Sequence, residues 1–510
     1  MISGTTRNEV LWHGRRDGRS ETSEFKNRNL ALKFVNGEAV DDLSLMGVRG
    51  IVYEIGAGDV GEVRQHLELN ARRMIDHGLS IFVVAPESQI VSHIQKEAKD
   101  IGLPEDAAKI LHGDVQSLPD HKLAQLMAEH DCMLGWSGSL RLEYGQTTKK
   151  LCDEDERLVR RAFSDCSQIG IIRLGDGKTA DTYMINATFI RKNSVILRPL
   201  PFFAKLGRRS KIEEEKQNYL EFADFHIPFH LRPNLDRERC ITGFERGLLV
   251  GNFVERARPL WDAVKDDAAG AAIHALFDTT LAGWWAQGFQ SPQGKTQGAV
   301  AGALTERIFD HNRVDPDTLN RAKTLGLKAS PKELWERLIG MTWQSYYRAP
   351  MHGDLHPDNI FVRASDAILI DLGSVQPGPL TGDPACLETF LAFETRTSDD
   401  LLEFERWKKE VDALFNPAKF QHLPPPHFGS DSWALRWNAA RKVRILGQPA
   451  QACDTEYRTA VAVYLLRRSM FRANENVLCA TDDDRRAYAM VIAERLIESV
   501  EMQAPKKDSI

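Results

Sequence analysis

The residues best equipped for chemistry lie in Met351-His-Gly-Asp-Leu-His-Pro-Asp-Asn-Ile-Phe-Val362 and in Ile368-Leu-Ile-Asp-Leu-Gly-Ser374. The first reads as a polar turn running into an apolar strand. A short turn at Ala364-Ser365-Asp366 follows, and a second strand ends in Asp371. Phosphoryl transfer asks little covalent chemistry of a protein. It needs a carboxylate to orient an attacking hydroxyl and oxygen ligands to hold magnesium on the phosphates. Asp354 suits the first role, and Asn359 and Asp371 suit the second. Pairing of the two strands as a hairpin brings Asn359 and Asp371 together although they stand 371 − 359 = 12 positions apart.

This stretch resembles the catalytic segment of the aminoglycoside phosphotransferase and choline kinase family, within the protein-kinase-like superfamily. The pattern that carries the resemblance is His352-Gly-Asp-Leu-His-Pro-Asp-Asn359, then an apolar strand ending in an aspartate. The resemblance implies a bilobal α+β domain with a largely helical C-lobe, using ATP and Mg2+. It implies Asp354 as catalytic base, Asn359 and Asp371 as magnesium ligands, and His352 as a brace for the loop. The other reading is a polar turn in some different fold, or a kinase fold without turnover.

Upstream, Gln168 to Leu174 and Asp181 to Asn186 read as two strands around the glycine turn Gly175-Asp-Gly177-Lys-Thr179. Such a hairpin can fold over nucleotide phosphates through its backbone N–H groups, which makes Gly175 and Gly177 candidates for nucleotide binding. A Walker A reading of Gly177-Lys178-Thr179 fails, because the required earlier glycine is Ile172. Pro201-Phe-Phe-Ala-Lys205-Leu206 is a strand with one lysine in an apolar run, and a buried lysine calls for an anion. In the kinase-like pattern that lysine meets nucleotide phosphates and is braced by a helical glutamate. Glu213, Glu214 and Glu215 are all available, and Glu215 fits best because Tyr219 lies four residues on. Gly247 to Glu255 resembles the strand joining two lobes, with adenine docking near Gly251 to Val254.

Residues 260 to 348 read as mostly helical. Trp284, Trp285 and Trp343 are candidates for lining an acceptor pocket, although paired helical tryptophans are as a rule core. Downstream, Gly382-Asp383-Pro384 opens an apolar helix, and Asp383 is expected to cap it. Members of the group often carry an acid two residues after the metal-binding aspartate. Gly373 stands there instead, which weakens assignment to an antibiotic or choline acceptor.

The first 150 residues fall outside the resemblance. Residues 1–35 are polar and read as a flexible arm. Residues 36–145 alternate strands with helices, the pattern of an α/β domain with a parallel sheet of receiver-like (flavodoxin) or Rossmann type. Gly56-Ala-Gly58-Asp-Val-Gly61 fits the dinucleotide fingerprint, but the candidate acid at the end of the next strand, Glu87, stands 87 − 61 = 26 positions past the last glycine, where the ribose would need one about 20 residues on. Receiver-type strand-end aspartates are lacking after Ile55 and Val84 too. The domain therefore reads as regulatory or as a dock for a protein partner. Residues 146–164 read as a linker, 165–256 as the N-lobe, and 257–510 as the helical C-lobe with its catalytic loop at 351–374.

Bulk properties bound the rest. The chain has 510 residues, 42% hydrophobic and 27% charged, as soluble globular proteins do. A net charge of −6 argues against nucleic acid as the main partner. Seven scattered cysteines, none in a Cys-x-x-Cys pair, suggest neither a disulfide framework nor a zinc site and fit a reducing cytoplasm. No apolar run approaches the roughly 18 residues of a membrane span. The expectation is an ATP- and Mg2+-dependent phosphotransferase acting on a hydroxyl of a small molecule or protein, in bacterial signalling or defence. The alternatives are a nucleotide-binding scaffold without turnover and nucleotidyl transfer on the same fold.

Overall fold

The computed structural model describes residues 9–13, 25, 27–28, 30–35, 45, 48–55, 60–85, 88–103, 108–112, 124–125, 137–176, 180–190, 199–304, 308–395, 403–471 and 482–505. The chain divides into two units. One comprises Met1–Lys216 and Asn234–Val254, the other Gln217–Pro233 and Glu255–Ile510.

Unit 1 opens with a five-stranded sheet of β1 (Glu9–His13), β2 (Ala31–Phe34), β3 (Val48–Glu54), β4 (Ser80–Ala85) and β5 (Ala108–His112). Its order is β2-β1-β3-β4-β5 and every neighbouring pair is parallel. That is the flavodoxin-like order of a doubly wound sheet. Helix α1 (Val60–Asp76) turns Val63, Leu67, Ala71 and Met74 inward at helical spacing. Helix α2 (Ser88–Asp100) links β4 to β5. The expected flexible arm is corrected here. Val10, Leu11 and Trp12 are at most 1% exposed and form an inner strand. A strand buried on both faces has no alternation, and five residues among arginines give too short a signal to read.

A second sheet has the order β10-β11-β9-β8-β7-β6. Its strands are β6 (Arg141–Tyr144), β7 (Cys166–Asp176), β8 (Ala180–Phe189), β9 (Leu200–Arg208), β10 (Ile241–Thr242) and β11 (Arg246–Asn252). Helix α3 (Asp153–Ala162) precedes β7, and α4 (Arg209–Asn218) follows β9. The linker expected at 146–164 is likewise corrected. Its Leu158, Val159 and Ala162 are fully buried. The charges that suggested a solvated tether are the first turn of α3, Asp153 to Glu156, where the helix dipole favours acids.

Two of those charges hold α3 to the second sheet, and other residues of the same region reach the end of α1 beside the first sheet. Glu154 Oε1 accepts from the backbone N–H groups of Glu245 and Arg246, at 2.8 and 2.7 Å, in the turn between β10 and β11. Asp155 takes a bidentate pair from Arg246 at 2.9 and 3.0 Å. From the first sheet, Asp76 at the end of α1 accepts from Phe244 N at 2.9 Å and from Arg157 at 3.2 Å. The buried Arg161 guanidinium donates to the carbonyls of Asp76 and Ile75 at 2.6 and 3.3 Å. Gly78 has φ +68°, and a Cβ there would collide with that guanidinium.

Unit 2 is mostly helical: α5 (Leu260–Lys265), α6 (Ala269–Ala275), α7 (Ala282–Phe289), α8 (Pro331–Ile339), α9 (Gly382–Phe393), α10 (Phe404–Leu414), α11 (Ser432–Gly447), α12 (Glu456–Ser469) and α13 (Asp482–Glu501), among shorter pieces. Its centre is α9, buried on every face except at Phe390 and packed on α11 and α12. Glu388 of α9 is fully buried and satisfied by Arg444 Nε at 2.9 Å and Tyr457 Oη at 2.8 Å. Among the described residues no helix is long and apolar enough to cross a membrane, and the described cysteines are all free.

Burial raises the Asp76 carboxyl to about 7, and Glu154 nearby adds to this against the lowering by Phe244 N and Arg157. A carboxyl whose folded value lies above its unfolded one stabilises the fold at low pH and loses that contribution as pH rises through about 7. The melting temperature of the native chain should therefore fall relative to that of Asp76→Asn between pH 5 and pH 8. A constant gap across that interval would refute this.

Candidate functional site

The catalytic-loop residues all belong to unit 2. Strands β12 (Arg348–Met351) and β13 (Gln376–Pro379) pair antiparallel and deliver the chain to His352. Gly353 follows with φ +76°, and a Cβ there would stand 2.5 Å from the Ser374 carbonyl oxygen. Only glycine meets both conditions. Asp383 then holds the loop. Its Oδ2 accepts from His352 N at 2.8 Å and its Oδ1 from Gly353 N at 3.1 Å. This corrects the expected helix cap. Thr381 occupies the cap position and Asp383 lies inside the first turn of α9, with its carboxylate turned to the loop. Burial, opposed by His352 and those two N–H groups, raises the Asp383 carboxyl.

His352 is fully buried and its Nε2 lies 2.9 Å from the Ile370 carbonyl. The contact is a hydrogen bond when Nε2 carries the proton, which assigns that tautomer. Ile370 N in turn donates to the Asn359 carbonyl at 3.0 Å. That bond extends the hairpin of Ile360–Arg363 with Asp366–Leu369, whose register pairs Ile360 with Leu369. The hairpin thus sets Asn359 beside Ile370 and next to Asp371. Asn359 Nδ2 donates to the Asp354 carbonyl at 2.9 Å, which leaves Oδ1 as its remaining donor atom toward a cation. Asp371 is exposed with φ 58° and ψ 69°. A left-handed aspartate at the end of a strand is strain of the kind that persists where the surroundings over-determine it.

Asp354 itself is half-buried. Its Oδ1 accepts from Arg467 at 2.7 Å, and its Oδ2 lies 4.0 Å from His356 Nε2. Burial pushes the carboxyl up, but Arg467, His356 and His352 outweigh it and hold the group below the usual carboxylate range. Burial lowers the His356 imidazole against the pull of Asp354 and Asp358, which keeps it neutral near pH 7. Arg467 was not visible as a site residue in the sequence. It stands 113 positions beyond Asp354, in a helix that reads only as amphipathic. The one signal is the basic pair Arg467-Arg468 ending the apolar run Val461 to Leu466.

The other predicted residues lie in unit 1. Lys205 in β9 pairs with Thr182 and Leu249 in the ladder, and its Nζ donates to Glu215 Oε2 at 2.6 Å with both side chains nearly buried. Glu213 and Glu214 instead pair with Arg209 and Lys211 on the exposed face. Gly175 lies near the end of β7, opposite Thr182 and beside a register shift. Gly177, like Gly56 and Gly58 of the fingerprint, lies outside the described residues. Gly251 ends a buried run of β11, and a Cβ there would collide with the Phe203 ring and the Asn234 carbonyl. Trp284 is core, with its indole N–H on the Phe222 carbonyl at 2.7 Å, and Trp285 stacks among Phe277 and Phe289.

Residues 268–407 match the phosphotransferase enzyme family (APH). The APH segment contains Asp354, Asn359, Asp371 and Asp383. Lys205, Glu215 and Arg467 lie outside it. No curated protein matches the chain. Solved structures similar to it include amicoumacin kinase hAmiN in complex with AMP-PNP, Ca2+ and Ami, at 12% identity over 68% of this chain and 94% of that one, TM-score 0.36. An aminoglycoside-3'-phosphotransferase of type VIII follows at 18% identity over 62% and 98%, TM-score 0.34. A choline/ethanolamine kinase family protein from Mesorhizobium loti is similar at 13% identity over 65% and 92%, TM-score 0.33.

Gly353→Ala should destabilise unit 2 by about 2 kcal/mol or more, since it combines a left-handed backbone with a collision against backbone oxygen. Urea unfolding followed through tryptophan fluorescence measures it. An unchanged midpoint would show that the loop is not held as described.

Proposed function

We propose that the chain transfers the γ-phosphoryl group of ATP to a hydroxyl acceptor of small-molecule size. The observation that supports this most is one hydrogen-bonded ring. Asn359 donates to the Asp354 carbonyl, Ile370 donates to the Asn359 carbonyl, and the His352 ring contacts the Ile370 carbonyl, with Asp371 one residue on. In this reading Asp354 Oδ2 accepts the acceptor's O–H and takes its proton. The acceptor oxygen bonds to the γ-phosphorus, the bond to the β,γ-bridging oxygen breaks, and ADP leaves.

Asn359 and Asp371 would hold the divalent cation. Both are hard oxygen donors, and two protein ligands are what magnesium takes when phosphates and water supply the rest. Bound there, the cation neutralises charge on the phosphate oxygens. Phosphate oxygens and water would complete its coordination. Lys205, held by Glu215, would meet the nucleotide phosphates, and Gly175 and Gly177 would serve nucleotide binding. The parallel-sheet domain of unit 1 would serve regulation or the docking of a protein partner.

Asp354→Asn should abolish transfer from γ-labelled ATP while leaving nucleotide binding largely intact. Unchanged turnover would remove Asp354 from the role. Label carried from the α-position instead would point to nucleotidyl transfer, and neither label moving would favour a scaffold. Simultaneous Asn359→Ala and Asp371→Ala should abolish metal-dependent nucleotide binding. Arg467→Gln should move the acid limb of the pH–rate profile upward, because burial is then less opposed and Asp354 protonates at higher pH. An acid limb that stays in place would mean that Arg467 does not tune the carboxylate.

A further inference from the structure

Arg458, in the first turn of α12, is 4% exposed and has one hydrogen bond, Nη1 to Ser499 Oγ at 3.1 Å. Its Nε is buried without a partner. No carboxylate forms an ion pair with it among the described residues. Two guanidinium groups lie near the Phe420 ring, Arg458 at 5.4 Å and Arg444 at 4.1 Å from its centroid. Arg444 is neutralised by Glu388, and Arg458 has no such counter-charge. Burial, with Arg444 adding to it, accordingly lowers the Arg458 guanidinium against the milder pull of Asp454. A buried cation left in this state is costly unless an anion joins it.

The room for that anion is present. Arg458 lines a cavity of about 580 Å³ together with Trp343, Phe420, His422, Thr455 and Gln503. The size falls within the range of small-molecule pockets. Two walls are aromatic, and the cavity lies at the N-terminal end of a helix of 14 residues, where the backbone dipole favours negative charge. Asp454 also lines it and is exposed, so its charge is largely solvated. The cavity is separate from the catalytic loop. Arg458 and Arg467 stand nine positions apart on one helix, roughly 14 Å along its axis.

We propose that this cavity is a second binding site of unit 2, taking a small phosphate monoester with a ring: the phosphate on Arg458 and the ring against Trp343. The fork of a guanidinium suits phosphate oxygens, and the aromatic walls suit a planar body.

Calorimetric titration of the full chain with phenyl phosphate tests this, with benzoate as the carboxylate counterpart. Saturable binding of phenyl phosphate is expected, stronger than that of benzoate. Arg458→Met should weaken it about tenfold or more. Lys205→Met and Asp354→Asn should leave it unchanged, which separates this site from the nucleotide site. Ala418→Trp, on an exposed turn at the cavity wall, should block binding without touching the core, and so serves if Arg458→Met fails to fold. No saturable binding to the native chain, binding that survives either Arg458→Met or Ala418→Trp, or benzoate binding as tightly as phenyl phosphate would each overturn the proposal.

Discussion

The loop from His352 to Asn359 depends on one buried carboxylate. Asp383 accepts the N–H groups of His352 and Gly353, two consecutive donors in a tight turn that no ladder or helix could satisfy. A buried unpaired N–H costs as much as a lost hydrogen bond, so without Asp383 this turn would not stay buried. The turn fixes His352 over the Ile370 carbonyl, and that contact holds the end of the Ile360–Leu369 hairpin against the loop. The positions of Asp354, Asn359 and Asp371 therefore follow from a buried residue of α9.

Charge buried in pairs recurs through the molecule, and the partners come from distant sequence. Arg157 and Arg161 join Asp76 at the end of α1 to α3, while Glu154 and Asp155 hold α3 to the β10–β11 turn. Such a clamp is directional. Removing one partner leaves the other uncompensated, so it specifies one docking geometry where apolar packing alone would tolerate several. In unit 2, Glu388 and Arg444 do the same between α9 and α11. Arg458 stands apart from this pattern, because it is buried and no carboxylate among the described residues pairs with it.

The loop and hairpin from His352 to Asp371 were legible because turn and strand patterning constrain both residue type and offset. Asp354, Asn359 and Asp371 fall where a loop and a two-stranded hairpin must put them, and the hairpin formed in the register that brings them together. Lys205 was legible for a related reason, as one cation in an apolar strand. Choosing its acid among three glutamates required the phase of α4, which turns Glu215 inward and Glu213 and Glu214 outward. Strand β1 and helix α3 were misread because both sit in charged surroundings, and sequence shows charge without showing whether it is solvated or paired.

By itself, the sequence determined the chemistry on offer and the local elements that carry it. The alternation of β3, α1 and β4, the polar loop, the two short strands and the glycine at 353 all follow from period, propensity and backbone sterics within a few residues. The tertiary structure alone decided which distant side chains meet. Arg467 reaches Asp354 across 113 positions, Asp383 turns from its helix to the loop, and Phe244 N caps Asp76 across 168. The reason is physical. Periodicity and propensity act along the chain, whereas an ion pair or a buried N–H is satisfied by whatever folding brings within about 3 Å, and no local pattern encodes that meeting.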